Sequence, residues 1–179
     1  MKAKLLLILL SLSFILPAYA GVPTSISFYG LPQEWTATTG ETVKLSDFRG
    51  KQVVLSLIYT ECTRVCPVTI QSMKKIEKVL KEQNKEAELI LVTLDPRTDT
   101  LAKLSRFQER HELNRKPWHF LRGSKKDTQL LAQYMGAKAW DYYSHVVHNL
   151  KILLLDPQGQ VVESIGWNDE IEKLTDAAS

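Results

Sequence analysis

Two apolar runs constrain this chain more than any other feature: Gln52–Tyr59 (QVVLSLIY) and Glu88–Leu94 (ELILVTL). Both are aliphatic and β-branched along most of their length, the pattern of strands buried on both faces. Such strands need helices packed against the sheet, so the expected class is α/β. Between the runs, Pro67 suits the first turn of a helix, where a missing N–H costs nothing. Ile70, Met73, Ile76, Val79 and Leu80 then recur at helical spacing.

The remaining elements extend this strand-helix-strand unit. Thr24–Gly30 reads as a short strand or arm, and Glu34–Leu45 as a hairpin about the turn signal Thr39-Gly40-Glu41. Leu101, Leu104 and Phe107 mark a second helix capped by Thr98 or Asp99. A third begins at Ser124, with Asp127 three residues on as in a capping box, turns Leu130, Leu131 and Tyr134 inward, and stops at Gly136. Leu150–Leu155 is a third apolar run, and Asp156-Pro157-Gln158-Gly159 turns it into Val161–Ile165. Asn168 and Asp169 start a last helix with Ile171 and Leu174 facing in. A strand-helix-strand unit followed by an antiparallel hairpin and a closing helix is the thioredoxin plan. The expectation is therefore an α/β, thioredoxin-like fold with an N-terminal hairpin extension and a central mixed sheet flanked by helices.

The first twenty residues are unlike the rest. Lys2 and Lys4 precede an apolar stretch, Leu5–Leu16, and Pro17 stands before Ala18-Tyr19-Ala20, a small-x-small cleavage pattern. The stretch is shorter than the roughly 20 residues a spanning helix needs. Residues 1–20 are thus expected to be a cleaved secretory signal, and 21–179 one thioredoxin-like domain, soluble in the periplasm or another exported space. Without Lys2 and Lys4 the formal charge falls from +3 to +1, so nothing in the composition supports nucleic-acid binding. Lys74, Lys75, Lys78, Lys81 and Lys85, interleaved with Glu77, Glu82 and Glu86, read as a solvated helix face.

Export gives the two cysteines their meaning. Cys62 and Cys66 lie in Tyr59-Thr60-Glu61-Cys62-Thr63-Arg64-Val65-Cys66-Pro67, where the first central strand ends and its helix begins. Ligand sites of open α/β sheets lie beyond the carboxyl ends of strands. A helix N-terminus favours thiolate at Cys66, and Arg64 adds positive charge. A disulfide here would close a loop too short to stabilise much, so a purely structural role explains the pair poorly. Positions i and i+4 of a helical turn are neighbours, so the sulfurs could pair or share a metal. Two thiolates suit Cu(I) and are too few for a structural zinc site.

Four histidines compete for a third ligand position. His111 ends a helix and His119 lies in Lys116-Pro117-Trp118-His119-Phe120; both read as surface or packing residues. His145 and His148 precede the third strand, and if it runs straight they face opposite sides. His148 would then share its face with Leu150, Ile152 and Leu154. Spacing alone leaves it open between ligand and packed histidine.

The motifs in order resemble the Sco/SenC family of copper proteins. The resemblance runs through Tyr59-Thr60-x-Cys62-x-x-Val65-Cys66-Pro67, Val92-x-x-Asp95-Pro96-x-x-Asp99-Thr100 and Trp118-x-Phe120-Leu121-x-Gly123. It continues to His148, nine residues before Pro157 in Asp156-Pro157-x-Gly159. It implies a copper metallochaperone helping to assemble the binuclear copper site of cytochrome c oxidase, with Cys62, Cys66 and His148 holding Cu(I) or Cu(II). It also implies a partner: the copper-receiving subunit of that oxidase or another exported thiol protein. The chain departs from the commonest pattern at Thr63, Arg64 and Val147, where proline and acidic residues are usual. These changes shift weight towards a second function, a periplasmic thiol–disulfide oxidoreductase using Cys62 and Cys66 as catalytic residues. A thiol peroxidase is disfavoured, because Tyr59 stands where that pattern needs proline. The aromatic segment 136–143, with Trp140, Tyr142 and Tyr143, would either shield the metal or pack as a surface loop.

Overall fold

The computed structural model describes residues 27–62, 65–142, 145–166 and 169, with the side chains of residues 139–142 and 145–148 outside that description. The leader 1–20, Thr63, Arg64 and the C-terminal helix expected from Asn168 therefore lie outside the described residues. Among the described residues nine strands and three α-helices follow one another: β1 (Glu34–Ala37), β2 (Thr42–Lys44), β3 (Gln52–Ile58), α1 (Val65–Glu82), β4 (Ala87–Thr93), α2 (Leu101–Arg110), β5 (Trp118–Arg122), α3 (Lys125–Tyr134), β6 (Ala139–Tyr142), β7 (His145–His148), β8 (Ile152–Leu155) and β9 (Val161–Ile165). Seven of the strands form one sheet in the order β2-β1-β5-β4-β3-β8-β9, and β6 pairs with β7 separately. The parallel centre is β3, β4 and β5, with β8 antiparallel to β3 and β1 antiparallel to β5. This is the expected mixed α/β sheet with its N-terminal hairpin.

The unbroken apolarity of the central strands has its expected cause. Along β3, Val54 and Ile58 join a core with α1 and α2, while Val53, Leu55 and Leu57 join a second core on the opposite face. β4 divides in the same way, Leu89 and Leu91 against Ile90 and Val92. Ser56 is the buried polar residue of β3, and its hydroxyl donates to the Lys151 carbonyl at 2.7 Å. The β8–β9 turn is tight at Gly159, whose φ of +79° is in the left-handed region. A Cβ there would also lie 2.6 Å from the Tyr29 ring.

Several expectations need correction. Phe28–Gly30 is one turn of 3-10 helix capped by Ser27, not a strand, and it packs under the β8–β9 turn through Phe28 N–H donating to Gly159 O at 2.8 Å. β5 was not anticipated: WHFLR carries a histidine and an arginine, and only its place between β4 and β1 makes it a strand. In α3 the buried face is Thr128, Leu131 and Ala132, continued by Met135, and Tyr134 points outward, 46% exposed. The Ser124 cap and the stop at Gly136 stand as expected. The lysine-rich face of α1 is solvated except at Glu77, which is buried and accepts hydrogen bonds from Arg115, Lys81 and Trp118.

Candidate metal centre

The cysteines stand at the carboxyl end of the parallel centre. β3 stays paired to its last residue, where Leu94 N–H donates to Ile58 O at 2.7 Å. The chain then turns back, Cys62 N–H donating to Tyr59 O at 3.1 Å, and re-enters regular structure as α1 at Val65. Cys66 in the first helical turn is wholly buried, and Cys62 is only partly covered. No disulfide joins the two. The Cys66 amide donates to Cys62 Sγ at 3.2 Å, and the Tyr59 amide donates to Cys66 Sγ at 3.4 Å.

This geometry reverses part of the electrostatic expectation. The free N–H groups of a helix start favour negative charge on whatever they face. Here the Cys66 amide faces the outer sulfur, so Cys62 receives that support. The Cys66 thiol is instead pushed well up, first by its hydrogen bond with Cys62, then by burial and by the charge of Cys62. Tyr59 beside them is pushed up to about 12 by burial and by Cys62. Two adjacent sulfurs, one accessible and one buried, form a soft donor pair that fits Cu(I) and equally fits an intramolecular disulfide.

Asp99 and Thr60, which the sequence marked only as a candidate helix cap and a motif letter, belong to this corner. Asp99 is 1% exposed, and its Oδ2 accepts from the Thr60 amide at 3.0 Å. Its Oδ1 accepts the Thr60 hydroxyl at 2.5 Å, and Oδ2 also accepts the Thr93 hydroxyl at 2.5 Å. The cap of α2 is the next residue, Thr100, whose hydroxyl accepts from Lys103 N–H. The signal was present in Asp95-Pro96-x-x-Asp99-Thr100: a second acid directly before a good cap residue is free for another task.

The histidines separate cleanly. His111 ends α2 with its ring 4.4 Å from Phe107, and its pKa is lowered by burial and then by Lys74 and Arg110. His119 in β5 places Nε2 2.6 Å from Glu88 and its ring edge against Phe48. Both pack as expected, with their partners in the core or on β4. His145 and His148 lie in β7, opposite Tyr142 and Ala139 of β6. The straight strand assumed for 145–155 does not exist: β7 ends at His148, Asn149 N–H donates to Lys138 O, and β8 starts at Ile152. Alternation therefore no longer links His148 to Leu150, Ile152 and Leu154. Leu150, two residues further on, does belong to the buried cluster that holds Cys66 and packs against Cys62. Of the expected aromatic segment 136–143, residues 139–142 form β6, paired with β7, and Tyr143 lies outside the described residues. Among the described residues no three His, Cys, Asp or Glu side chains gather as a metal cage.

A family model described as SCO1/SenC matches residues 25–179. The chain belongs to that family. It is 26% identical over 150 residues to the SCO1 protein homolog of Bacillus subtilis, covering 78% of each chain. It spans about half the length of the mitochondrial SCO2 homologs it matches, 52% of the Bos taurus protein at 25% identity. Among solved structures, Arabidopsis thaliana ScoI with copper bound superposes with a TM-score of 0.72 at 21% identity, over 83% of this chain and 94% of that one. BsSco, described as a member of the Sco family of cytochrome c oxidase assembly proteins with a disulfide switch, superposes at 0.71 and 22% identity, over 87% and 96%. At these identities the superpositions establish the fold, which is the Sco thioredoxin-like one.

Proposed function

We propose that this chain is an exported copper carrier that holds its ion through Cys62, Cys66 and His148 and delivers it during assembly of cytochrome c oxidase. The observation that carries the reading is the sulfur pair, with the accessible Cys62 beside the buried Cys66 and the Cys66 amide on Cys62 Sγ. Copper is cargo here. The sulfurs suit Cu(I), and an imidazole would extend tolerance to Cu(II). His148 is chosen by its place in the family motif; it ends β7, two residues before Leu150 of the Cys66 cluster. The copper-bound relative and the oxidase-assembly relative support the cargo and the destination. Export is supported by the signal pattern of residues 1–20 and by the Bacillus anthracis family member, which is a lipoprotein. None of the described helices is long and apolar enough to cross a membrane. The receiver on this reading is the copper-binding subunit of the oxidase or another exported thiol protein, with any membrane contact made through it.

A second reading, thiol–disulfide exchange, draws on the same geometry. Cys62, accessible and facing a helix amide, attacks a partner disulfide; one partner sulfur leaves with the electron pair and takes up a proton. Cys66 then loses its proton and attacks Cys62, releasing the second partner thiol and leaving Cys62–Cys66 oxidised. Thr63, Arg64 and Val147, in place of the family's usual proline and acidic residues, favour this role. Copper stoichiometry and disulfide formation in Cys62→Ser and Cys66→Ser test the shared site. Either substitution should abolish both; a variant that still binds one copper tightly would contradict it.

A further inference from the structure

We propose that Asp99 is a positioning residue for the cysteine pair, fixing through Thr60 the turn that presents Cys62 to Cys66. The proposal rests on the dithiol chemistry of Cys62 and Cys66. A carboxylate buried to 1% exposure carries a large desolvation cost, offset only by strong hydrogen bonds. Asp99 has them in an informative arrangement: amide and hydroxyl of the same residue, Thr60, at 3.0 and 2.5 Å. Holding both groups fixes the backbone and the χ1 of Thr60 together.

Thr60 is two residues from Cys62 and lies inside the turn closed by Cys62 N–H on Tyr59 O. On the other side, the Tyr59 amide is held by Cys66 Sγ. The turn is thus anchored by Asp99, itself tied to Thr93 of β4, and by Cys66 of α1. The Thr93 hydroxyl, which donates to Asp99 Oδ2 while accepting the Asp95 amide, makes the β4 anchor rigid. Helix capping does not explain Asp99, because Thr100 performs it. Removing the anchor lets Cys62 sample positions away from Cys66, so the effective concentration of one sulfur at the other falls.

The test is equilibrium with glutathione in the purified protein. Two protein thiols and glutathione disulfide give the Cys62–Cys66 bond and two glutathione thiols, so electrons and protons balance. The oxidised fraction is read by alkylation and mass, and denaturant unfolding of both redox forms is measured alongside. Asp99→Asn should lower the effective concentration about tenfold, equal to about 30 mV in potential. Thr60→Val, which removes only the hydroxyl and keeps the amide bond to Asp99, should lower it about threefold. A merely structural Asp99 would destabilise oxidised and reduced protein equally and leave the equilibrium unmoved; that result, or a rise, overturns the proposal. Should Asp99→Asn not fold, Thr60→Val decides by the same criterion. Absence of any exchangeable disulfide in the unsubstituted protein would instead be a failure of the dithiol reading itself.

Discussion

Glu77 offers the most quantitative check of how the fold holds α1, and with it Cys66, in place. Its carboxylate is 6% exposed and receives both Arg115 guanidinium N–H groups at 2.6 and 2.8 Å, Lys81 Nζ at 2.8 Å and Trp118 Nε1 at 3.0 Å. Burial alone would raise its pKa, but the Arg115, Lys81 and Trp118 hydrogen bonds outweigh it and bring the group from an ordinary 4.5 to about 2. The unfolded chain then binds a proton more readily than the folded one. Stability from this group is complete above about pH 4.5 and is lost as pH falls towards 2. At 1.36 kcal/mol per pH unit the contribution is at most about 3 kcal/mol, because Arg115 and Lys81 are half-exposed and solvent screens them. Urea unfolding of the reduced protein between pH 7 and pH 2 measures it, beside Glu77→Gln. The variant should be less stable by about 2–3 kcal/mol at neutral pH, with the gap closing near pH 2. Parallel pH profiles for the two proteins would refute the claim that this clasp is charged and net stabilising.

Gly159→Ala should cost about 1–3 kcal/mol, since an added methyl meets the Tyr29 ring at 2.6 Å on a backbone with φ of +79°; an unchanged thermal midpoint would show that the N-terminal turn yields freely. In single-cysteine variants, Cys66→Ser, which keeps the accessible Cys62, should react with a thiol reagent at least about tenfold faster than Cys62→Ser, which keeps the buried Cys66. Equal rates would remove the assignment of Cys62 as the attacking sulfur.

What the sequence disclosed follows the strength of the local signal. β3, α1 and β4 were legible because continuous apolar runs and a helical stripe have few other solutions, and Gly40 and Gly159 announced their turns. β5 was not, because its five residues mix aromatic and charged groups and depend on β4 and β1 for their pairing. The cysteines were placed correctly at the strand-to-helix junction, but their division of labour was not. Proximity of Cys66 to the helix start suggested an activated thiol, whereas depth decides: it is buried, and its own amide serves Cys62. The face argument for His148 assumed one strand across 145–155, and no local pattern reveals that the chain leaves β7 at His148 before beginning β8. Asp99 looked like a cap because caps are read from adjacent residues, while its real partners are Thr60, in the turn beyond β3, and Thr93 at the end of β4.

The central claim is a two-sulfur, one-histidine copper site, and an anaerobic titration of the reduced chain from Gly21 onward with Cu(I) and, separately, Cu(II) tests it most directly, beside His148→Ala and His145→Ala. Such a site gives one tightly bound copper per chain and a thiolate-to-Cu(II) absorption band that His148→Ala disrupts and His145→Ala leaves intact. Weak or absent binding of both ions, with a readily exchanged Cys62–Cys66 disulfide, would contradict it and make the protein a thiol–disulfide oxidoreductase.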